Sequence, residues 1–270
     1  MLDWSDIKGF KYLLRQDDYV DDISLERFLD DRRDEVWADI SQLKTKYVKA
    51  YSTSTDSELF HWSIYKCIYG EIQDGNNLYV INNGKWYLIN NDFVVKINQY
   101  YNSVPLSDIV LPEYNQKNEG EYNKEVTRQN NSFLCLDANN ISYGGGHSKI
   151  EFCDLLSSDK KIVHIKKYAG SSVLSHLFYQ GLVSGELFVS DPEFRKSLNR
   201  KLTTQWKLAR PETKPDANKY EVIYGIISNV DEDRPHIPFF SKVSFKNAKR
   251  RLEGFGYTVK LKKITDINPN

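Results

Sequence analysis

Cysteine is scarce in this chain: Cys67, Cys135 and Cys153 are odd in number and show no CxxC spacing. That argues against a thiolate zinc site and against a disulfide framework, and makes a reducing cytoplasm the expected compartment. An excess of either charge is lacking too. The 37 basic residues are balanced by 37 acidic ones, for a formal net charge of zero. A uniformly basic nucleic-acid coat is therefore excluded, although a local basic patch is not. Nowhere is there an apolar run of the roughly 18 residues that a membrane-spanning helix needs. The opening MLDWSDIKGF lacks the basic-then-apolar order of a signal peptide. The glycine-rich YGGGHS at 143–148 lacks GxxxxGK[ST] and leads into a strand. It reads as a bulge or close-packed joint and not as a phosphate cradle.

What is present is a globular composition. Over 270 residues, 40% are hydrophobic and 27% charged, enough for one or two domains with a sizeable core. Ser24 is placed to cap a helix through residue 43, with Leu25, Phe28, Leu29, Val36, Ile40 and Leu43 on one stripe and the 30–35 charge run largely opposite. A β-rich block follows at 46–90, formed by VKAYS, LFHWSIYKCIYGEI, LYVIN and GKWYLIN. Asp74-Gly75 and Asn83-Gly84 are its hairpin signals. His61, beside Trp62 on a strand, reads as a packing residue. Asp92 opens a short helix, FVVKINQYYNSV, and the proline-bearing connection 105–120 is the expected domain boundary. The predicted organisation is a helix plus antiparallel β block over 1–105 and an α/β domain over 106–270.

Chemistry is expected in the second part. FLCLD, KIEFCDLL and KKIVHIKKY are three strand-length runs ahead of the helix SSVLSHLFYQGLVSGELF. PEFRKSLNRKL is a further helix. YEVIYGIIS reads as a strand buried on both faces, the 240–257 segment as a helix ended by glycine, and TVKLKKI as the last strand. Polar residues interrupt the apolar runs at Glu151, Asp154, His164 and Lys166, and a charge in a buried strand needs a partner or a metal. This order of elements resembles the restriction-endonuclease-like nucleases, giving a fold class of α+β or α/β with a mixed-sheet core. Their pattern is an acid on the second meander strand, then (Asp or Glu)-x-Lys on the third. Asp154 and His164-Ile165-Lys166 occupy those places.

The resemblance implies a Mg²⁺ or Mn²⁺ site on Asp154 and His164, with Glu125 or Glu121 of the preceding helix completing it. Histidine in place of the acid favours Mn²⁺, or a further carboxylate, or lost chemistry. Glu151 competes with Asp154 but lies three residues away, on the opposite strand face. Lys166 would assist the phosphate. Gln180, at a position where helicase-linked branches of that superfamily carry glutamine, would help place it. Lys167, Ser171, His176 and Gln180 are the candidate nucleic-acid contacts. For His176 and Gln180 a plain helix-rim role is equally compatible with the sequence.

IEFCDLL, VHIKKYAGSSVLSHLFYQGLVSGELF, WSIYKCIYGEI and NNGKWYLINNDF also resemble the bacterial family called "sporadically distributed protein". SSVLSHLFYQG is the most specific part. Members of that family are often longer, which would make this chain a C-terminal half or a short form. Their patchy occurrence implies an antiphage defence role, with DNA (or RNA) and a defence-system protein as partners and no membrane. Three readings follow: a metal-dependent DNA phosphodiesterase, a silent nuclease-like domain that binds nucleic acid or a partner, and an interaction scaffold with a closed polar network.

Overall fold

The computed structural model describes residues 7–12, 19, 20, 23, 25–30, 39–138, 141–143, 148–168 and 171–268. They fall into two compact units, Met1–Val94 and Val95–Asn270. Among the described residues no helix is long and apolar enough to cross a membrane.

The first unit holds two small antiparallel sheets. β1 (Ile7–Lys11) pairs with β2 (Tyr47–Ser52), and β2 with β3 (Glu58–Ser63). Phe28, from α1 (Leu25–Asp30), is buried with Phe10, Val48 and Ala50. The predicted 24–43 helix is helical over α1 and again over α2 (Ser41–Thr45); residues 24, 31–38 and hence Val36 lie outside the described residues. Leu25, Leu29 and Ile40 are exposed, so the stripe reaches the core only in part.

LFHWSIYKCIYGEI is not one strand. A single turn, α3 (Ile64–Cys67), divides β3 from β4 (Gly70–Asp74). β5 (Asn77–Asn82) and β6 (Lys85–Ile89) complete the second sheet, with the two hairpin signals at its turns. His61 is exposed, its ring edge-on to Tyr47 at 5.3 Å and its Nδ1 2.7 Å from Glu58 Oε1, so it packs on the sheet surface and not in a core.

The second unit is built on five strands in the order β13-β12-β11-β10-β7. β7 (Phe133–Cys135), β10 (Leu155–Ser157) and β11 (Lys161–Lys167) are antiparallel; β12 (Glu221–Ser228) and β13 (Thr258–Thr265) run parallel to β11. The sheet is thus mixed, and the protein α+β. β12 lies between two parallel neighbours and is buried along almost its whole length, as its unbroken apolar run requires.

Helices cover both faces. Tyr122 and Val126 of α5 (Glu119–Gln129) pack on Val163, Ile165, Ile223 and Ile227. Leu174, Leu177 and Phe178 of α6 (Ser171–Ser190) and Phe245 and Leu252 of α8 (Phe239–Phe255) pack on the opposite side chains, Ile162, Val222, Tyr224 and Ile226. α4 (Asn91–Ser103) joins that second core through Tyr101, and α7 (Pro192–Lys201) through Phe194 and Leu198. Asp191 caps α7, accepting from Glu193 N at 2.7 Å and Phe194 N at 3.1 Å.

Two expectations are revised here. The 105–120 connection lies inside the second unit. It runs beside β13, with Ser107 N donating to Leu261 O and Tyr114 N to Thr265 O, both at 2.8 Å. It thereby covers an edge that would otherwise be open for pairing. KIEFCDLL is also not one strand. Among the described residues β9 (Ser148–Ile150) pairs with β8 (Ile141–Tyr143) alone, residues 151–154 belong to no strand, and β10 begins at Leu155. The glycines of YGGGHS lie outside the described residues.

The approach of α6 to β12 depends on Gly181. A Cβ there would stand 2.6 Å from Tyr224 Oη, which is buried and donates to Phe178 O at 2.9 Å. Gly181→Val should cost about 1–3 kcal/mol through overpacking. A urea titration of the variant should show a lower midpoint with an unchanged slope; an equal midpoint would show that α6 shifts freely.

Candidate metal and phosphate site

The site forms where β10 begins and β11 ends. Asp154 sits at the crossing. Its N–H donates to Val163 O at 3.0 Å, its carbonyl accepts from Leu136 N at 2.8 Å, and its Oδ2 accepts from Ile165 N at 2.6 Å. The main chain thus continues the ladder between β7 and β11, and the carboxylate is held in place by a strand amide. Only 7% of the residue is exposed. Burial pushes its carboxyl up to about 8; Glu151, Asp137 and Glu119 add to the rise, and the Ile165 N–H opposes it.

Glu151 arrives from the irregular stretch before Asp154. Its Oε2 accepts from Gln180 Nε2 at 2.9 Å, and its Oε1 accepts from the Ala138 amide. Burial raises its carboxyl above the usual range, against the Ala138 N–H, Gln180 and Lys166. Asp137 follows β7, and its Oδ2 accepts from Asn123 Nδ2 of α5 at 3.3 Å. Gly120 leaves room for it, since a Cβ at that position would stand 2.9 Å from Asp137 Oδ2.

One carboxylate oxygen from each of Asp137, Glu151 and Asp154 lies within 4.8 Å of the other two. Three hard oxygen donors converging on one point fit a hard divalent cation such as Mg²⁺ or Mn²⁺. At neutral pH the group without a cation holds a proton it would ordinarily have lost. A cation would relieve that repulsion.

Lys166 stands beside the cluster. Glu119, in the first turn of α5, clamps the end of β11 by two contacts: its Oε2 lies 2.7 Å from Lys166 Nζ, and its Oε1 accepts from Lys167 N at 2.8 Å. Asn118 caps this helix, accepting from Glu121 N at 2.9 Å. Lys166 remains 37% exposed, so its ammonium is open to an incoming anion.

Of the residues singled out in the sequence, Asp154, Lys166 and Gln180 are brought together. His164 is not. It shares the side of β11 that faces α6 but is fully buried, with its ring centroid 5.9 Å from that of Tyr224 and neither ring nitrogen hydrogen-bonded. Burial pulls its imidazole down to about 3, so it is neutral, and it is no part of the carboxylate group. Glu125 is occupied by Arg128 and Gln129, at 3.3 and 3.0 Å. Glu121 accepts from Lys117 N at 3.4 Å near the helix start. Neither belongs to the cluster.

Lys167 lies 2.8 Å from Asp266 and over the Tyr114 ring, which raises its ammonium pKa. His176 is exposed on α6. Ser171 begins α6, but its side chain lies outside what is described. Glu119, Asp137 and Glu151 are the residues that the sequence reading passed over or set aside. An N-cap at Asn118 and the acid closing FLCLD were the signals for the first two.

No curated protein and no solved structure matches the chain. The model of the family of unknown function DUF6119 matches residues 1–265, so the chain belongs to that family.

Proposed function

We propose that this protein is a metal-dependent phosphodiesterase of restriction-endonuclease-like type, cutting DNA in the bacterial cytoplasm. One observation carries the reading: the Asp137, Glu151 and Asp154 oxygens converge beside an accessible lysine at the end of a strand. The order of elements supports it, with the helix bearing Glu119, the β7-β10-β11 meander, the helix bearing Gln180, then β12, α8 and β13.

Asp137, Glu151 and Asp154 would hold Mg²⁺ or Mn²⁺, which supplies a hydroxide at neutral pH and neutralises charge on the phosphate. Lys166, fixed by Glu119, faces a non-bridging phosphate oxygen and stabilises the charge that builds as water attacks phosphorus. The bond from phosphorus to the leaving sugar oxygen breaks. The proton of the attacking water would pass to solvent, and the leaving oxygen would draw one from solvent. Gln180 keeps Glu151 oriented.

A second reading is favoured by His164, which stands where the superfamily's acid would be and is buried away from the cluster. On that reading the domain binds nucleic acid or a protein partner without cutting. The antiphage role rests on the family resemblance, and phage plating on cells expressing the wild type or Asp154→Asn tests it.

The direct experiment incubates the full chain with linear, circular and single-stranded DNA and with RNA, adding Mg²⁺, Mn²⁺ or a chelator. Cleavage of DNA that needs the metal and stops with chelator is expected. Retained DNA binding with no cleavage under any metal would select the silent domain, and absence of both would reject the nuclease reading.

A further inference from the structure

At the opposite end of the β10–β11 hairpin from Asp154, a cavity of about 500 Å³ opens between the hairpin turn, the end of α6, α7 and the turn Thr204–Trp206. That volume lies within the range of ligand pockets, about 300–1,000 Å³. Its inner wall is aromatic. Phe152 and Phe188 lie 5.0 Å apart, Tyr220 meets Phe188 edge-on at 5.2 Å, and Trp206 forms another wall. Its mouth carries Lys160 and Lys207, both exposed, and no carboxylate lines it. Lys160 Nζ lies 5.5 Å from the Tyr220 ring centroid. Lys207 also borders a shallower neighbouring cavity with Asn199 and Arg200, where Glu193 is taken up by Lys196 at 2.7 Å.

The walls are held by specific bonds. Asn199 accepts from Leu208 N at 2.7 Å and donates to Leu208 O at 3.2 Å, fixing the Trp206–Leu208 segment to α7. The buried Arg195 donates to Phe188 O at 2.9 Å and to Pro211 O at 2.7 Å, tying the end of α6 to the following loop. These bonds hold the cavity open without help from a ligand.

We infer that this cavity binds a nucleotide, the base against Trp206 and Tyr220 and the phosphate at Lys160 and Lys207. A cavity with aromatic side chains in its walls suits a planar heterocycle, since every base offers a π-face. The polar rim, including Gln205 and Ser132, can meet the base edges. The two exposed lysines at the mouth, Lys160 and Lys207, suit a compact anion there. A free mononucleotide and the terminal nucleotide of a strand share this chemistry. The site shares no residue with the carboxylate cluster, so the inference stands apart from the nuclease reading.

The test is calorimetric titration of the full chain, with chelator present, using the four nucleoside monophosphates, ATP, adenosine, benzoate and a short oligonucleotide with and without a 5′-phosphate. At least one monophosphate should bind at micromolar to submillimolar concentration, and adenosine about tenfold more weakly. Trp206→Leu should weaken binding about tenfold or more, with Trp206→Phe in between. Lys160→Ala/Lys207→Ala should reduce nucleotide affinity to that of the nucleoside. Asp154→Asn should leave it unchanged. A 5′-phosphorylated oligonucleotide that binds better than any monophosphate would assign the site to strand ends. The inference is overturned if no nucleotide binds at millimolar concentration, if benzoate binds and nucleotides do not, or if the tryptophan and lysine variants all bind as the wild type does.

Discussion

Lys166→Ala is expected to lower metal-dependent cleavage by about 100–1,000-fold, the usual cost of removing one preorganised donor to a developing oxyanion. The lysine sits at the strand end, clamped by Glu119 and adjacent to the carboxylate oxygens, so its loss removes a positive charge and leaves the metal-holding group whole. Mn²⁺ binding, followed by calorimetry, should therefore change little. The pair is partly exposed, so its own worth to stability is small, about 0–1 kcal/mol, and the variant should fold.

Asp154→Asn should behave in the opposite way. An amide can still accept from Ile165 N, so the strand crossing survives, but one charged ligand is gone. Metal affinity should fall, and raised Mn²⁺ should restore part of the cleavage, which it should not do for Lys166→Ala. Equal activity in wild type and Lys166→Ala would show that the cut is made elsewhere.

His164→Glu has no such rationale, because position 164 lies fully buried in the core under α6. A carboxylate there would have no partner, and loss of the folded state is expected instead of a change in metal preference.

The fate of His164 shows where the sequence could be read and where it could not. The long apolar run of β12 and the alternation across β11 are local properties, and they placed the mixed sheet and its covering helices. Asp154 and Lys166 stood out because each breaks an apolar pattern, and Gln180 through the resemblance to helicase-linked nucleases. Glu151 was set aside on strand alternation, which holds only while the ladder is regular. Residues 151–153 lie outside the ladder that Asp154 rejoins, and both acids turn to the same point. Glu119 and Asp137 sit at the ends of their elements, where a shift of two residues in a boundary decides what a side chain can reach. The similarity of His164 to the acid of the restriction-endonuclease-like nucleases was one of position along the strand. Depth along that strand, which decides between metal ligand and core residue, is set by how far α6 extends over the sheet.

In the absence of metal, stability should fall as pH rises from about 4 to 8, and a divalent cation should restore it. In the unfolded chain Asp154 loses its proton near 3.8; in the fold burial holds it to about 8. Below the lower value both states are protonated and the group imposes no penalty. Between the two values the folded state binds a proton that the unfolded state has released, so each pH unit lowers stability by up to about 1.4 kcal/mol. Above about 8 the penalty is complete, roughly 6 kcal/mol at most, and the raised carboxyl of Glu151 acts in the same direction. A cation bound by the three carboxylates requires them ionised, so it competes with the proton and gains affinity as pH rises. Melting followed by circular dichroism at pH 5.5 and pH 8.5, with chelator or with Mn²⁺, reads both effects. The Mn²⁺-induced rise in Tm should be small at pH 5.5 and about 10 °C at pH 8.5, at about 2–4 °C per kcal/mol for a unit of this size. Asp154→Asn removes the ionisation, so it should melt above the metal-free wild type at pH 8.5 and respond little to Mn²⁺. If wild type and Asp154→Asn lose the same stability between the two pH values, the buried carboxylate is not the source. An equal Mn²⁺ response in both proteins would place the cation away from Asp137, Glu151 and Asp154.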